Sequence, residues 1–180
     1  MKLYVMRHGM TVWNEKRIIQ GRSKNRLSKT GKEQVQKAAE NLKDAKIDII
    51  ISSPMMRTMQ TANIVNKYHG VKIFKDDAII EMDQGLLTGR RVDSLSDKER
   101  ALREQRSKEL KMENFHERAE IVKEFMRTIK EKYAYESVLI VTHDCNCCLI
   151  DKIIKNEDVE AGYARSMSNY KNAEVRFYEI

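Results

Sequence analysis

Short apolar runs alternate along the chain with longer amphipathic stretches. Four of these runs are too short for helices and are rich in β-branched or aromatic residues, which is typical of strands. They lie at residues 3–6, 47–51, 71–74 and 138–141, and residues 173–177 show a fifth strand pattern. The run at 138–141 is apolar at every position, as expected for a central parallel strand that is buried on both faces.

Apolar residues spaced three or four positions apart predict helices between these strands. Ser28 is a suitable N-cap for a helix whose apolar face includes Val35 and Leu42. Ser53 and Pro54 predict a second helix start, with serine as the N-cap and proline at the first helical position. Further amphipathic segments predict helices at residues 115–133 and around residues 149–154.

The alternation of strands and helices predicts an α/β fold. The expected architecture is a three-layer sandwich with a mostly parallel central sheet and helices on both faces. No linker, repeat or low-complexity tract interrupts the 180 residues, so one domain spanning residues 1–180 is expected. In open sheets of this kind, ligands bind outside the carboxyl ends of the strands.

The composition excludes several classes of protein but does not indicate a particular function. The chain is 41% hydrophobic and 34% charged, which excludes a disordered protein. No apolar run approaches the roughly 20 residues of a membrane-spanning helix, and Arg7 ends the first apolar stretch too early for a signal peptide. A cytoplasmic protein is therefore expected. The net charge of +7 favours an anionic partner of some kind.

Two arginines and two histidines follow strands at the predicted carboxyl edge of the sheet. Arg7 and His8 end the first strand, Arg57 follows the second, and His143 follows the strand at 138–141. A guanidinium fork matches phosphate oxygens, and an imidazole can be a neutral nucleophile or a cation near neutral pH. One histidine would attack phosphorus while the other stabilises charge, and a departing alkoxide would need a carboxylic acid nearby.

The motifs around these residues resemble those of the histidine phosphatase superfamily, which includes cofactor-dependent phosphoglycerate mutases and many phosphomonoesterases. The resemblance follows the correct order along the whole chain. It comprises Met6-Arg7-His8-Gly9 with Thr11 and Trp13-Asn14, Gln20-Gly21, Leu27-Ser28, residues 52–62, Glu81 with Gly85 and Gly89, Glu113-Asn114 with Arg118, residues 138–143 and residues 172–175.

The resemblance implies a phosphohistidine mechanism with three catalytic residues. His8 is the expected nucleophile, Glu81 the proton donor and later the base that activates water, and His143 a protonated charge stabiliser. The implied phosphate-binding residues are Arg7, Asn14, Arg57, Thr11, Gln20 and Gly21. Thr11 is equally suited to cap a local turn, and Asn14 to be a turn residue. Neither a metal nor a cofactor is implied, because the arginines and His143 meet the phosphoryl charge.

Four positions depart from the pattern of the family. Met10 and Thr88 stand where many members have glutamate, and Lys24 stands where aspartate is usual. If these three residues line the mouth of the pocket, they favour more anionic or more apolar substrates. Asp144 replaces a common glycine next to His143, where a carboxylate would either raise the pKa of the imidazole or repel the phosphate.

The three cysteines lie together at Cys145, Cys147 and Cys148, so no disulfide framework is expected. Cys145 and Cys148 form a C-x-x-C pattern at a predicted helix N-terminus, where a thiolate would be stabilised. The main interpretation is that they are small apolar residues packed under the sheet. A redox role and a metal cluster are the alternatives.

Residues 90–112 mix basic and acidic side chains. Between residues 90 and 111, eight Lys and Arg oppose five Asp and Glu, a pattern that usually marks a solvated helical face. Because the segment follows Glu81, a helical flap over the pocket is the functional alternative. Nucleic-acid binding is less favoured, since the aromatic residues are not interleaved with the basic ones.

The expected function is hydrolysis of a small phosphorylated metabolite by a metal-independent, acid-type phosphomonoesterase. The alternatives are a cofactor-dependent phosphoglycerate mutase of the same superfamily and a non-catalytic phosphate-binding or redox-sensing module. The presence of His8, His143, Arg7, Arg57 and Glu81 together favours an enzyme. Neither a nucleic acid nor a membrane is expected as a partner.

Overall fold

Five strands form the central sheet of the computed structural model, which describes residues 1–159 and 170–180. The strands are β1 (Lys2–Arg7), β2 (Ile49–Ser52), β3 (Lys72–Lys75), β4 (Ser137–Thr142) and β5 (Val175–Glu179). Their order across the sheet is β3-β2-β4-β1-β5. The first four are parallel, and β5 pairs antiparallel with β1 at one edge.

Helices cover both faces of the sheet. In the described part of the chain they are α1 (Val12–Glu15), α2 (Lys29–Leu42), α3 (Met56–Val65), α4 (Asp97–Glu104), α5 (Phe115–Lys132) and α6 (Asp144–Ile154). Short 3₁₀ turns connect several of them, mostly between β3 and α5. The predicted α/β fold with a mostly parallel sheet is therefore confirmed.

Alternating side chains of the strands feed two separate cores. Leu3 and Val5 of β1 pack with α5 and α6, whereas Met6 packs with α2 and α3 on the other face. The central strand β4 is buried at all six positions, as its uninterrupted apolar run predicts. This arrangement makes three layers, with one hydrophobic core on each side of the sheet.

One of the two predicted helix starts is correct and the other is wrong. Ser28 is the N-cap of α2, and its hydroxyl accepts a hydrogen bond from the Gly31 N–H at 3.0 Å. By contrast, α3 begins at Met56 with Met55 as its N-cap. The reason is that the Ser53 N–H donates to the Val141 carbonyl at 3.0 Å, so the chain remains extended beyond β2 and Pro54 lies before the helix.

The loop that follows β1 passes very close to α2. A Cβ atom on Gly31 would lie 1.8 Å from the Met10 carbonyl oxygen, and one on Gly9 would lie 2.5 Å from Val35 Cγ2. Only glycine permits this approach at Gly31, because the obstructing atom belongs to the backbone. The contact fixes the position of residues 8–11 at the carboxyl edge of the sheet.

A third, smaller hydrophobic cluster lies outside the two main cores. It consists of Ile19, Leu87, Leu95, Leu110 and Met112, with Val92 and Leu102 packed against it. The cluster joins the loop after α1 to the segment at residues 90–112, which contains α4. It therefore attaches this charged segment to the carboxyl edge of the sheet, where Arg7 and His143 lie.

Among residues 1–159 and 170–180, no helix has the combination of length and apolar character that crossing a bilayer requires.

Candidate active site

The carboxyl ends of β1, β4 and β2 bring the predicted catalytic side chains together. Arg7 is in register with Thr142, and Ser52 with Val141, so the residues that follow each strand meet at one edge. The His8 N–H donates to the Thr142 carbonyl at 3.0 Å. The rings of His8 and His143 consequently lie edge to face, with centroids 5.3 Å apart.

The geometry of His8 leaves one ring nitrogen with a lone pair. Nδ1 lies 2.8 Å from the Gly9 carbonyl oxygen, which can only accept, so Nδ1 carries the proton. Nε2 accepts from Arg57 Nε at 3.2 Å. Burial, then the charges of Arg57 and Arg7, hold the pKa of His8 well below 6.5. The imidazole is therefore neutral at pH 7, with Nε2 as its nucleophilic atom.

Arg57 lies fully buried at the centre of the site. Its Nη2 donates to the Gly21 carbonyl at 3.0 Å, and its Nη1 donates to the Ser23 carbonyl at 3.3 Å. Gly21 adopts a φ of +46°, a left-handed conformation that glycine accommodates readily. The loop at residues 21–23 thereby orients the guanidinium beside His8.

Arg7 directly precedes His8 and lines the cavity described below. Its Nη1 donates to the Tyr170 carbonyl at 2.5 Å and lies 3.4 Å from Asp144 Oδ1. Asp144 therefore pairs with Arg7. Its carboxylate partly neutralises this arginine, which is one of the predicted phosphate-binding residues.

His143 is neutral under the charges of the protein itself. Its Nε2 lies 2.8 Å from the Ser53 hydroxyl oxygen. Burial lowers its pKa well below 6.5, and the neighbouring Arg57 lowers it further. The imidazole is therefore neutral before phosphate binds, and Asp144 is not among the groups that shift its pKa most. The protonated His143 expected during phosphoryl transfer stays a prediction. A phosphate dianion would act in the opposite direction, because a nearby anion favours the imidazolium.

Glu81 brings a carboxylate to both His143 and Arg57. Its Oε2 lies 3.4 Å from His143 Nδ1 and 3.6 Å from Arg57 Nη2. Its Oε1 accepts from the Met82 N–H at 2.9 Å. The side chain is 16% exposed and lines the cavity, so this carboxylate can reach both a bound phosphate ester and solvent.

A network of charged residues holds the loop that carries Glu81. Arg22 Nε donates to the Glu81 carbonyl at 2.9 Å, and its Nη2 donates to Glu113 Oε2 at 3.1 Å. Glu113 also accepts from the Asp83 N–H at 2.8 Å and from Arg118 Nε at 3.0 Å. Glu113 and Arg118 belong to the motifs that carry the family resemblance, whereas Arg22 was missed although it directly follows Gly21.

Two further positioning contacts could not be found from the sequence. The buried Asn146 amide donates to the Ile79 and Ile80 carbonyls at 2.9 and 2.8 Å, and the Thr142 hydroxyl donates to the Ile79 carbonyl at 2.7 Å. These bonds tie the start of α6, next to His143, to the chain that leads into Glu81. No sequence signal distinguishes Asn146 from an ordinary helix residue.

The other predicted phosphate-binding residues divide into two groups. Asn14, Gln20 and Gly21 line the cavity. Thr11 is fully buried and caps α1, accepting from the Asn14 N–H at 3.0 Å, so of its two possible roles the structure shows the cap. The Thr11 N–H in turn donates to Asn14 Oδ1 at 3.1 Å, which leaves the amide NH₂ of Asn14 as the donor available to a phosphate.

The cavity adjoins these residues and has a volume of about 640 Å³. Its lining includes Arg7, Asn14, Gln20, Glu81 and Asp144, together with arginines of α4 and of the turn after it. Met10, Lys24 and Thr88 are not part of this lining. The condition under which these three residues would favour more anionic or more apolar substrates is therefore not met by the described lining.

Cys145 also lines the cavity, but its environment opposes a thiolate. Burial, and then the charge of Glu81, raise the pKa of the Cys145 thiol well above 9.0. Its Sγ lies 3.0 Å from Met82 Sδ. The predicted stabilisation of a thiolate at the start of α6 is wrong, because desolvation outweighs the helix N-terminus.

His8, Glu81 and His143 form a cluster of the residue types that bind metal ions. Their ligand atoms lie within 4.8 Å of one another, a spacing that could hold a metal ion. However, Arg57 contacts two of the three, at 3.2 Å from His8 Nε2 and 3.6 Å from Glu81 Oε2. A divalent cation would be repelled by this guanidinium at such distances, whereas a phosphate dianion would be attracted.

The chain is similar to curated proteins over part of its length. One is a protein of Enterobacter sp. (strain 638) named probable phosphoglycerate mutase GpmB, with 41% identity over 103 residues that cover 57% of this chain and 48% of that protein. A GpmB of Salmonella choleraesuis (strain SC-B67) is 38% identical over 105 residues, covering 58% and 49%. The chain thus spans about half the length of the curated relatives that it matches.

Solved structures and the family profile cover nearly the whole chain. Bacillus stearothermophilus YhfR superposes with a TM-score of 0.87 at 23% identity, covering 99% of this chain and 91% of that chain; this likeness shows the fold. Residues 3–179 match the sequence profile described as histidine phosphatase superfamily (branch 1). This match over nearly the whole chain establishes that the chain belongs to the histidine phosphatase superfamily.

Proposed function

We propose that this protein is a phosphomonoesterase that hydrolyses a small phosphorylated metabolite through a phosphohistidine at His8. The observation that carries the proposal is the state of His8: a neutral, buried imidazole whose Nε2 lone pair lies 3.2 Å from the Arg57 guanidinium. A nucleophile and a phosphate-binding cation therefore occupy adjacent positions. Glu81 lies within reach of the same point, 3.6 Å from Arg57 Nη2.

In the first step, His8 Nε2 forms a bond to phosphorus while the ester P–O bond breaks. The departing alkoxide takes a proton from the Glu81 carboxyl group, which thereby becomes a carboxylate. Arg7, Arg57 and His143 stabilise the charge on the phosphoryl oxygens during this transfer. Approach of the dianionic phosphate favours protonation of His143, so that its contribution grows when substrate binds.

In the second step, water attacks the phosphohistidine. The Glu81 carboxylate takes a proton from the water, the new O–P bond forms, and the Nε2–P bond breaks to restore neutral His8. The 16% exposure of Glu81 supports this hydrolytic route, since the base is accessible to solvent water from the cavity. Phosphate then leaves and the site returns to its starting state.

His8→Ala tests the assignment of the nucleophile. We expect the wild type to release phosphate from para-nitrophenyl phosphate and to form an acid-labile phosphoenzyme, seen by intact-mass spectrometry after rapid quenching. The variant should form no phosphoenzyme and lose at least about 10³-fold in kcat, because no other group replaces the attacking lone pair. Normal turnover by His8→Ala would overturn the proposal, and a wild type inactive on a broad panel of phosphomonoesters would favour a non-catalytic module.

Removal of metals tests the proposed independence from metal ions. Because two arginines and His143 meet the phosphoryl charge, we expect dialysis against a chelator to leave kcat and KM unchanged. The activity of a zinc-dependent phosphatase treated in parallel should be lost. A chelator-sensitive activity that is restored by adding a divalent ion would contradict this part of the proposal.

A phosphoglycerate mutase is the second candidate, because the curated relatives at 41% and 38% identity carry that name. A mutase must return the phosphoryl group to the sugar acid rather than to water. The two functions are separated by following 3-phosphoglycerate with and without 2,3-bisphosphoglycerate. Release of inorganic phosphate supports the phosphatase, whereas formation of 2-phosphoglycerate that requires the bisphosphate supports the mutase.

A further inference from the structure

We propose that the alcohol portion of the substrate carries a second anionic group, a carboxylate or a second phosphate, which binds a set of arginines at the cavity. This set, which we name the arginine wall, consists of Arg17, Arg100, Arg103 and Arg106. All four line the same cavity as Glu81 and Arg7. The inference rests on the proposed function and adds the substrate class to it.

Positive charge exceeds negative charge among the described residues that line the cavity. Five arginines are in this lining, Arg7 and the four of the arginine wall, against three carboxylates, which are Glu81, Glu104 and Asp144. Two of these carboxylates, Glu81 and Asp144, lie against Arg57 and Arg7 of the proposed phosphate site. The excess of positive charge in the described lining favours an anion at this part of the cavity.

Two other acidic residues of the segment make contacts away from the described lining. Asp93 lies 3.2 Å from Arg17 and 3.5 Å from Arg91. Glu99 caps α4 through Ser96 and pairs with Arg90 at 3.1 Å. Three basic residues of the segment, all of them arginines, therefore line the cavity, against one of its carboxylates.

The helix α4 presents two of the wall arginines together. Arg100 and Arg103 are three residues apart, so they lie on the same face of the helix. Between them, Leu102 packs against the small hydrophobic cluster around Leu95 and Leu110. This apolar contact fixes the rotation of α4 and hence directs its arginine face toward the cavity.

The other two wall arginines occupy unfavourable backbone conformations. Arg17 has a φ of +53° and Arg106 a φ of +51°, each one residue past the C-cap of a helix, at Lys16 and Gln105 respectively. Glycine is preferred at this position because a Cβ atom is crowded there. An arginine in both places is notable because both side chains reach the same cavity.

Each of these turns is closed by the same pair of hydrogen bonds. After α1, the Arg17 N–H donates to Asn14 and the Ile18 N–H to Trp13, at 3.0 and 2.8 Å. After α4, the Arg106 and Ser107 N–H groups donate to Arg103 and Leu102, at 3.1 and 2.9 Å. These are Schellman motifs, so the helix ends themselves require the left-handed residue. Glycine would close these turns equally well, so what the arginine adds at each position is its side chain.

The cavity is large enough for more than a phosphate group. Its volume of about 640 Å³ falls within the range of about 300–1,000 Å³ that is common for small-molecule sites. The buried site at His8 and Arg57 takes the scissile phosphate. The remaining space adjoins the arginine wall, where the second anionic group would bind through charge-assisted hydrogen bonds.

A competition experiment with two matched probes tests the proposal. Glycerol 3-phosphate and 3-phosphoglycerate are similar in size, but only the second carries a carboxylate in addition to its phosphate. Each is used as a competitor while the release of p-nitrophenol from para-nitrophenyl phosphate is followed. We expect the inhibition constant of 3-phosphoglycerate to be about tenfold lower than that of glycerol 3-phosphate.

Two double variants with equal loss of charge separate the arginine wall from the general charge of the segment. Arg100→Gln/Arg103→Gln should remove most of the tenfold preference while leaving the inhibition constant of inorganic phosphate unchanged. Lys98→Gln/Lys108→Gln is the control, since both lysines are exposed and neither lines the cavity. This control should keep the preference of the wild type.

The results that would overturn the inference differ from those that would overturn the proposed function. Equal inhibition constants for the two probes in the wild type, or equal losses of preference in the two double variants, would refute the arginine wall as an anion site. If the wild type releases no p-nitrophenol, the phosphatase proposal fails instead. The same two probes are then compared by titration calorimetry, in which equal affinities would again refute the wall.

Discussion

The proposed phosphate site and the arginine wall are built in two different ways for binding anions. His8, Arg57 and His143 are at most 2% exposed, and each has fixed hydrogen-bond partners. The Arg17 side chain of the wall is 65% exposed, and Arg100 is also exposed. A buried cation that is held before substrate arrives needs no rearrangement during the reaction, which suits transition-state stabilisation. Exposed arginines are screened and adaptable, which suits selection among substrates.

Glu81→Gln should produce the largest contrast between the two regions. Glutamine cannot donate a carboxyl proton or act as a base, so hydrolysis of alkyl phosphates should fall by about 10²–10⁴-fold. The p-nitrophenolate ion leaves without needing a proton, so the variant should still show a rapid first release of p-nitrophenol followed by slow turnover. Quenched-flow measurement distinguishes these phases.

Two outcomes would contradict the assigned role of Glu81. If Glu81→Gln slows the first release of p-nitrophenol as much as it slows later turnover, the residue acts by positioning rather than by proton transfer. If the preference for 3-phosphoglycerate over glycerol 3-phosphate changes as well, the separation between the phosphate site and the arginine wall is not valid. The control is Glu99→Gln, a carboxylate that caps α4 in the segment at residues 90–112 and lies outside the described lining of the cavity.

Arg57→Lys is expected to have the next largest effect. A lysine keeps the charge but loses the fork that donates to His8, Gly21 and Ser23. We expect kcat to fall by about 10²–10³-fold for every substrate, as when one donor to a transition-state oxyanion is removed. The ratio between anionic and neutral probes should stay the same. The exposed Arg127→Lys serves as control, and a change in that ratio would contradict the comparison.

The meeting of the predicted site residues was predictable because strand ends converge in a parallel sheet. Arg7, His8 and His143 each follow a short apolar run, and such runs place their carboxyl ends at one edge whatever the order of the strands. The order β2-β4-β1 then makes the three ends neighbours. The location of a residue can therefore be predicted from the sequence when it depends only on where a strand ends.

The residues that escaped prediction depend on contacts between distant segments. Ser53 was expected to cap a helix, but its N–H remains paired with Val141, a bond that only the sheet order creates. The arginine wall depends on left-handed turns at Arg17 and Arg106. The usual signal for such a turn is glycine, so an arginine there gives no indication in the sequence. Charge pattern alone does not show which arginines face a cavity.

Stability should depend on pH through the two buried histidines. The pKa values of His8 and His143 are well below 6.5 in the folded protein, and close to 6.5 in the unfolded chain. The unfolded state therefore binds more protons below about pH 6.5. The free energy of unfolding should decrease as pH falls from 6.5, by up to about 1.4 kcal/mol per pH unit for each histidine, and should level off above pH 7.5.

Urea unfolding at pH 7.5, 6.5 and 5.5 measures this dependence. His143→Gln should reduce the slope below pH 6.5, since glutamine keeps a hydrogen-bonding group beside Ser53 but does not titrate. The exposed His116→Gln is the control and should follow the wild type. A slope that is the same in His143→Gln and in the wild type would show that burial and the charges of Arg57 and Arg7 do not hold this imidazole neutral.

The smallest effect concerns the backbone of the arginine wall, and its sign is informative. At Arg17, glycine would relieve the strain of a left-handed conformation, which costs about 1–2 kcal/mol. Glycine would also increase the backbone entropy of the unfolded chain, which lowers the stability of the folded protein by about 0.4–1 kcal/mol. The exposed pair with Asp93 contributes little. Arg17→Gly should therefore stabilise the protein by about 0.5–1 kcal/mol, whereas Lys16→Gly, at a φ of −87°, should destabilise it. Both variants lose one charge, so a comparison of their urea midpoints isolates the effect of the backbone conformation.

Two results are possible for Arg17→Gly. If the variant is more stable and also loses part of its preference for 3-phosphoglycerate, the arginine is retained at a cost in stability because it binds an anion. If the variant is less stable, the left-handed turn is not strained, and that argument for the arginine wall fails.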